Sequence, residues 1–478
     1  MPLQPFDIVS DYKEAAISKF DPQQLVNMYV DVDPTGKGGK ALFMTPGLKL
    51  IKSHATAGEG RAQYVFRDKL YQVIKNKIYQ VDSSLNRVTI GEINTEIGYV
   101  GIADNGRHII FVDGAQGWLW DNVLSTFSQI TSSFFPSAPQ DVEILGSRFV
   151  VTATSELFYY SASNDGTNWG TLGFPLQYYS VGSESGNTVG LGHVAGRMFV
   201  FAEKTTGVWY TPQEASTSPY LRASVMDYGC AARGSIANDF GILMWLTKTP
   251  QGVGSVVITT GTQPESVSTE PIEKEFHSYS DVSDARAFLY KNDAGHIFYQ
   301  INIPSANKSW MYDLLQRTWC GLEYKASARS RSQNISFFNN THYTLDYENG
   351  KMYELSENYL DDDGINIRRA RVTPTLFDPK YNEMSLNRII VDMMQGTGES
   401  SGEDDDPVLF LRVSRDGGVS YGNQIQAKIG KIGQRMWRTE FYSLGVSRSF
   451  IFELEHYNKV PVCILGMSVD VTPIGDNQ

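Results

Sequence analysis

Ile, Val, Phe, Tyr and Thr recur along the chain in short runs, punctuated by Gly, Asn, Asp and Ser. Runs of this kind fit pleated, half-buried strands, and the punctuation supplies turns with positive φ. One short helix is predicted over residues 11–20, capped by Asp11 and stopped by Pro22. A parallel α/β architecture needs a crossover helix between strands, and none is predicted between residues 60 and 360. The pattern predicts an all-β protein.

One hairpin pattern repeats: a Gly- or Asn-marked turn, an apolar strand, a second turn, and a strand bearing aromatics. Its clearest copies are residues 69–81, 106–120, 146–160 and 196–210, followed by 241–258, 295–312 and 342–355. Unit starts near 62, 98, 142, 190, 234, 283 and 331 are spaced by about 36 to 49 residues, close to one propeller blade. Each unit is too small to bury its own apolar face, and radial stacking also removes exposed sheet edges. Residues 60–360 therefore read as a β-propeller of six or seven blades; the alternative is a run of β-meanders in a sandwich. The flanks differ. Residues 361–478 hold strand-rich stretches at sandwich spacing. Residues 1–59 hold strands too few to fold alone, which predicts that both ends form one β-sandwich platform.

Composition narrows the function. The 478 residues carry 41 Lys+Arg against 53 Asp+Glu, a formal charge of −12. That length predicts two or three domains. With 8 Trp, 26 Tyr and 24 Phe, a sizeable core is expected and wholesale disorder is excluded. There is no apolar run near the ~18 residues a spanning helix needs, and no secretory signal at the N-terminus. Three distant cysteines, Cys230, Cys320 and Cys463, make neither a disulfide framework nor a zinc site, which fits assembly in a reducing cytoplasm. The acidic balance argues against a large sequence-independent DNA-binding surface.

Catalytic motifs fail on context. Gly398-Glu-Ser-Ser-Gly402 spells G-x-S-x-G, but inside a polar acidic loop and not between a buried strand and a helix. Gly36-Lys-Gly-Gly-Lys40 lacks the Gly-Lys-Ser/Thr ending of a phosphate loop and reads as an exposed basic turn. The seven histidines are scattered singly, so no metal site or cofactor is expected. The acidic runs at 361–363 and 404–406 are consecutive, unlike an EF-hand, and read as solvated loops. A carboxylate pair for glycoside hydrolysis is not excluded, but no pair stands out. Two segments, Ser163-Asn-Asp-Gly-Thr-Asn-Trp169 and Ser414-Arg-Asp-Gly-Gly-Val-Ser-Tyr421, read as Asp-box hairpins whose Asp accepts turn amides and whose aromatic packs across the base.

Leu25-Val-Asn-Met-Tyr29, then Thr45-Pro-Gly-Leu48, resembles the opening of the packaged-DNA stabilisation (tail-hub, or head-closure) proteins of short-tailed bacteriophages. The C-terminus is similar to the same family's last module through Val413-Ser-Arg-Asp-Gly-Gly418, Gly433-Gln-Arg-Met-Trp-Arg438, Gly445-Val-Ser-Arg448 and Ile464-Leu-Gly-Met-Ser-Val-Asp-Val471. The resemblance spans essentially the whole chain. It implies a non-enzymatic virion protein, made in the host bacterial cytoplasm. Such a protein forms a ring, expected to be hexameric, beneath the portal and its adaptor. The ring would extend the DNA channel without sequence-specific binding, help retain the genome, and dock the tail needle and tailspikes. Net acidity would keep the channel wall from gripping DNA; a strongly positive lumen potential would refute this. The matching positions are Asn27, Tyr29, Pro46, Gly47 and Trp437, with Arg435, Arg438 and Arg448 as candidate subunit or adaptor contacts. As purely structural residues, Pro46 and Gly47 would form a turn, and Tyr29 and Trp437 would be sandwich core. The rival readings are a propeller glycosidase or depolymerase acting on bacterial surface polysaccharide, and a monomeric propeller scaffold of host origin.

Overall fold

The computed structural model describes residues 3–14, 22–32, 39–53, 57–170, 178–182, 186–213, 218–249, 252–261, 263–325, 329–380 and 382–474. Seven antiparallel sheets succeed one another as blades. Blade 1 is Gly60–Phe66, Lys69–Ile74, Lys77–Val81 and Arg87–Glu92, and blade 2 is Gly101–Asp104, His108–Val112, Gly117–Asp121 and Thr126–Gln129. Blade 3 comprises Pro139–Leu145, Arg148–Ala153, Leu157–Tyr160 and Tyr178–Ser180; blade 4 comprises Thr188–Val194, Arg197–Ala202, Thr206–Tyr210 and Leu221–Met226. Blade 5 is built on Ala237–Asp239, Ile242–Thr249, Gly252–Thr259 and Glu265–Ser266. Blade 6 holds Arg286–Lys291, Ile297–Ile303, Lys308–Asp313 and Thr318–Leu322. The first strand of each blade packs on the first strand of the next, and Ser332–Phe338 of blade 7 returns to Gly60–Phe66, so the ring closes.

The middle strands read as unbroken apolar runs because both of their faces are buried. In His108–Val112, Ile109 and Phe111 pack with Tyr71 and Val73 of blade 1. Ile110 and Val112 face the other way, onto Val142, Phe149 and Val151 of blade 3. The same alternation sends Met198 and Val200 towards blade 3 and Phe199 and Phe201 towards blade 5.

The last propeller segment supplies three strands to blade 7, Ser332–Phe338, Thr341–Asp346 and Met352–Ser356; the fourth is Gly47–Lys52 from the N-terminal region. Residues 47–52 were expected in the platform, as were Asp361–Asp362 and Ile365–Asn366; all three join blade 7 instead. The reason is the sheet edge: without Gly47–Lys52 the outer side of Met352–Ser356 would be left unpaired. The rest of the N-terminal region does enter the sandwich. Met28–Val32, Lys40–Met44, Cys463–Ile474, Glu383–Met393 and Thr439–Ser447 form one sheet, with Gln4–Phe6 also on Cys463–Ile474. The other sheet runs Pro22–Val26, Arg369–Val372, Ser449–His456, Val408–Ser414 and Ile425–Lys428, and Val26 pairs with Gly321 so that blade 6 continues into it. Leu25, Met28, Leu42, Ile389, Phe452 and Val469 share the core between the sheets.

Two helix expectations are corrected. Lys13–Glu14 is a strand on Pro22–Val26, where a helix over residues 11–20 was predicted, and residues 15–21 lie outside the described residues. Conversely, Glu270–Ser278 is an α-helix with proline in its first turn, burying Ile272 and Phe276 at i and i+4 between blades 5 and 6. It links antiparallel blades, so it makes no parallel crossover.

Asn27 ties the two domains. It is buried, with φ of 51°, a left-handed conformation that Asn tolerates better than most residues. Its Nδ2 donates to the carbonyls of Glu323 (2.9 Å) and Arg368 (2.8 Å), and its Oδ1 accepts from the Glu323 amide (3.0 Å). One side chain thereby links the end of blade 6 to the start of the sandwich. Asn27→Ala leaves these backbone groups unpaired and is expected to destabilise by about 2–4 kcal/mol. Urea unfolding monitored by tryptophan fluorescence measures this; an unchanged first midpoint would show that the junction holds without the amide.

Candidate assembly surfaces and the propeller axis

Charged side chains plug the propeller axis at the N-terminal ends of the inner strands. Tyr99 lies between two guanidiniums, with Arg233 4.7 Å and Arg286 5.1 Å from its ring centroid. Arg233 also donates to the carbonyls of Gln140 and Tyr99, while Arg286 stands 3.9 Å from Glu59. Beside them, fully buried Arg61 donates to the carbonyls of Gly98 (2.8 Å), Lys75 (3.0 Å) and Thr95 (2.7 Å). Asp141 accepts from the amides of Leu191 (2.9 Å) and Val142 (3.0 Å). Burial pushes its carboxyl up to about 7, against the pull of these amides and of Arg233. Blades 1, 2, 3, 5 and 6 all contribute, so the axis is not an open pore at this end.

The N-terminal motif is interior. Tyr29 is buried, stacked on Phe43 and edge-on to His296 and Phe298. Its hydroxyl donates to Glu357 across the domain junction. His296 lies between Asp313 (2.6 Å) and Asp31 (3.3 Å). Burial opposes the charge on its ring, but the two carboxylates outweigh it and raise the pKa. A Cβ on Gly47 would lie 2.4 Å from the Tyr359 carbonyl oxygen and 2.5 Å from that of Asp361, so no side chain fits there. Pro46 is half-buried.

The C-terminal motif stands at the surface. Residues 431–438 are all exposed: Met436 is 96% exposed, and Trp437, 38% exposed, donates its indole N–H to the Lys428 carbonyl at 2.9 Å. Trp437 is therefore at the surface and not in the sandwich core. Arg435 and Arg448 are exposed and have no ion-pair partner among the described residues; Arg438 reaches only Glu440, at 4.0 Å. The adjoining Thr439–Ser447 is an edge strand exposing Tyr442 and Val446. An acidic loop props this tip, through Lys431–Asp405 (3.4 Å) and Lys428–Asp406 (2.5 Å), and Asp404 accepts from Asn458. The other acidic run is no free loop either. Asp361 pairs with Lys459, Asp363 with Lys351, and Asp362 is buried, its carboxyl pushed up to about 7 by burial.

The remaining motifs behave structurally. Residues 398–402 form a bend with no helix after it, and residues 36–38 lie outside the described residues. Among the described residues no group of three His, Cys, Asp or Glu could hold a metal ion, and none of the helices is long and apolar enough to cross a membrane. In the first Asp-box, Asp165 accepts from Thr167, and Trp169 is buried edge-on against Phe135. In the second, Asp416 accepts from Ser414 and Ser420, and Tyr421 lies under Arg412. No spacing rule could have revealed the axial cluster, because its members come from five separate units.

These features define an all-β protein, a propeller with a plugged axis fused to a sandwich with an exposed basic and apolar tip. Residues 6–360 match the family described as Bacteriophage P22 Gp10, beta-propeller, and residues 368–472 match Bacteriophage P22 Gp10, beta-sandwich. The chain belongs to this bacteriophage P22 Gp10 stabilisation family and is a phage structural tail protein, a component of the virion. Comparison with curated protein sequences finds no match. Among solved structures, the extracellular domain of the one-component system BT4673 from B. thetaiotaomicron is 9% identical, over 82% of this chain and 47% of that one, with a TM-score of 0.43. A chain of the mitotic checkpoint complex is 9% identical, over 66% of this chain and 93% of its own, also at 0.43. The computationally designed Ika8 protein is 13% identical, over 70% and 99%, at 0.39. At these scores none bears on function.

The Asp141 environment makes a signed prediction. Its folded pKa lies above the ordinary 3.8, so the folded state holds the extra proton between about pH 4 and pH 7. The stability linked to that proton is full below this window and is lost as pH rises through it. Asp141→Asn, permanently neutral, should gain stability relative to the unsubstituted protein from pH 5 to pH 8. Thermal unfolding across that range checks it; a constant difference would contradict the assignment.

Proposed function

We propose that this protein is a non-enzymatic tail hub that closes a ring beneath the portal and its adaptor. The ring extends the DNA channel, helps retain the packaged genome, and docks the tail needle and tailspikes. The observation that carries the reading is the tip at residues 431–438, with Met436 and Trp437 beside the exposed Arg435 and Arg438. Large apolar groups beside guanidiniums form the usual centre of a protein–protein contact. A cyclic ring needs two different complementary faces per subunit, and a basic tip on a chain of net charge −12 provides such an asymmetry. The plugged axis adds support: DNA has no straight path through one propeller, so any channel would be formed by subunits arranged around it. Six copies per ring, synthesis in the host cytoplasm and passage of DNA without sequence-specific contacts belong to the same proposal.

Electron microscopy of the protein mixed with its portal–adaptor complex tests it: a closed ring is expected, and absence of bound density would overturn the reading. The double variant Arg435→Glu/Met436→Glu changes only exposed side chains. It should leave the unfolding midpoint within a degree or two while weakening ring assembly at least about tenfold.

A further inference from the structure

A cyclic ring needs a second face on each subunit to receive its neighbour, and the propeller carries a surface whose chemistry matches the exposed tip. At the other end of the inner strands from the charged plug, the axis widens into a cavity of about 980 Å³ between blades 5, 6, 7 and 1. Two phenylalanines in its lining remain in contact with solvent, Phe240 at 43% and Phe337 at 56% exposure. Asp239 and Asp293 line it too, and both are exposed. Glu354 and Glu357 bring the carboxylates to four, against a single Lys or Arg among the described lining residues, Lys291. None of the four has an ion-pair partner among the described residues.

Four carboxylates around one concave wall focus a negative potential, so the cavity attracts cations and repels anions. Its exposed phenyl rings add a second preference, for a guanidinium over the ring face or a thioether at the ring edge. The tip at residues 431–438 offers both groups. Arg435 is exposed with no ion-pair partner among the described residues, Arg438 stands 4.0 Å from Glu440, and Met436 is 96% exposed. A guanidinium can clasp a carboxylate through two parallel hydrogen bonds and also lie flat on an aromatic ring. The tip belongs to the sandwich and the cavity to the propeller. A copy that has inserted its tip into one neighbour therefore still offers its cavity to another, which is the condition for a head-to-tail ring.

We propose that the tip of one copy docks into this cavity of the next copy, setting Arg435 and Arg438 against Asp239 and Asp293 and Met436 against Phe337. The inference rests on the ring reading and names the subunit contact that closes it.

Complementary charge reversal tests the contact in the full chain mixed with its portal–adaptor complex. Asp239→Arg/Asp293→Arg changes only exposed side chains, so folding is not at stake, and it should weaken ring assembly at least about tenfold. Adding Arg435→Asp/Arg438→Asp to the same chain should restore assembly to within about threefold of the unsubstituted protein, because each reversed group then meets a reversed partner. A second readout does not depend on affinity. A chain carrying both Met436→Cys and Phe337→Cys, treated with a short bis-maleimide, should yield a ladder of covalent multimers, whereas a mixture of the two single variants should stop at dimers. Cys230, Cys320 and Cys463 are buried and should stay unmodified. A ring seen by electron microscopy that shows neither rescue nor ladder overturns this contact and leaves the hub reading standing; absence of any ring overturns both. Cross-linking from position 337 to a portal or adaptor chain, in place of a second copy, would also overturn the contact.

Discussion

The need to pair the outer edge of blade 7 governs the architecture. Met352–Ser356 can complete its hydrogen bonding only with Gly47–Lys52, which enters from the opposite end of the chain. Once that strand is committed, the residues just before it must run back along the sandwich, and Met28–Val32 and Lys40–Met44 become sandwich strands. Ring closure and domain fusion are thus one event. Gly47 bears the tightest constraint within it, because the Tyr359 and Asp361 carbonyls occupy the space a side chain would need. The junction then tolerates little sliding, as Asn27 and the pair of Tyr29 and Glu357 bridge the same two bodies from adjacent turns of chain.

Ionic contacts reinforce the junction without replacing its packing. Arg368 reaches Glu455 (2.7 Å), Glu453 (2.9 Å) and Glu323 (3.0 Å), and Arg412 shares both sandwich glutamates. Such a network specifies orientation better than it adds stability, because desolvation offsets much of the Coulomb gain. Fully buried Arg371 has a similar role at the N-terminus, donating to the carbonyls of Ile8, Asp11 and Gln24. Charge in this protein is therefore divided: firmly held at the junction and along the axis, and only loosely engaged at the tip formed by residues 431–438, where Lys431 reaches Asp405, Arg438 stands 4.0 Å from Glu440, and Arg435 has no ion-pair partner among the described residues. A partner would meet rigid scaffolding behind an unsatisfied surface.

Much of this was legible in the chain. Runs such as Ile109-Ile-Phe-Val112 announced strands, expected to be half-buried, and their recurrence announced stacked units; that both faces are covered came from the packing of neighbouring blades. Asp165 and Asp416 accept turn donors as their spacing implied, but only the second segment joins paired strands, Val408–Ser414 and Ile425–Lys428; the first is a turn bridged between Ala162 and Asp165, with Gly166 outside the left-handed region. The motif Leu25-Val-Asn-Met-Tyr29 was visible, with Asn27 one of its matching positions, but the bonds Asn27 makes were not, since they go to Glu323 and Arg368, far away in sequence. Trp437 reads as core by residue type; its exposure follows from the loop that carries it beyond the end of Ile425–Lys428.

The chain alone determined the all-β class, the repeated unit and the two-part organisation, because these depend on local turn chemistry and on period-2 burial, both written within a few residues. Tertiary structure decided which strand seals the ring, which side chains meet on the axis, and which part of the C-terminal motif faces solvent. Those outcomes depend on edges and carbonyls brought together from distant segments, and no local pattern encodes which of many equivalent strands will satisfy a given open edge.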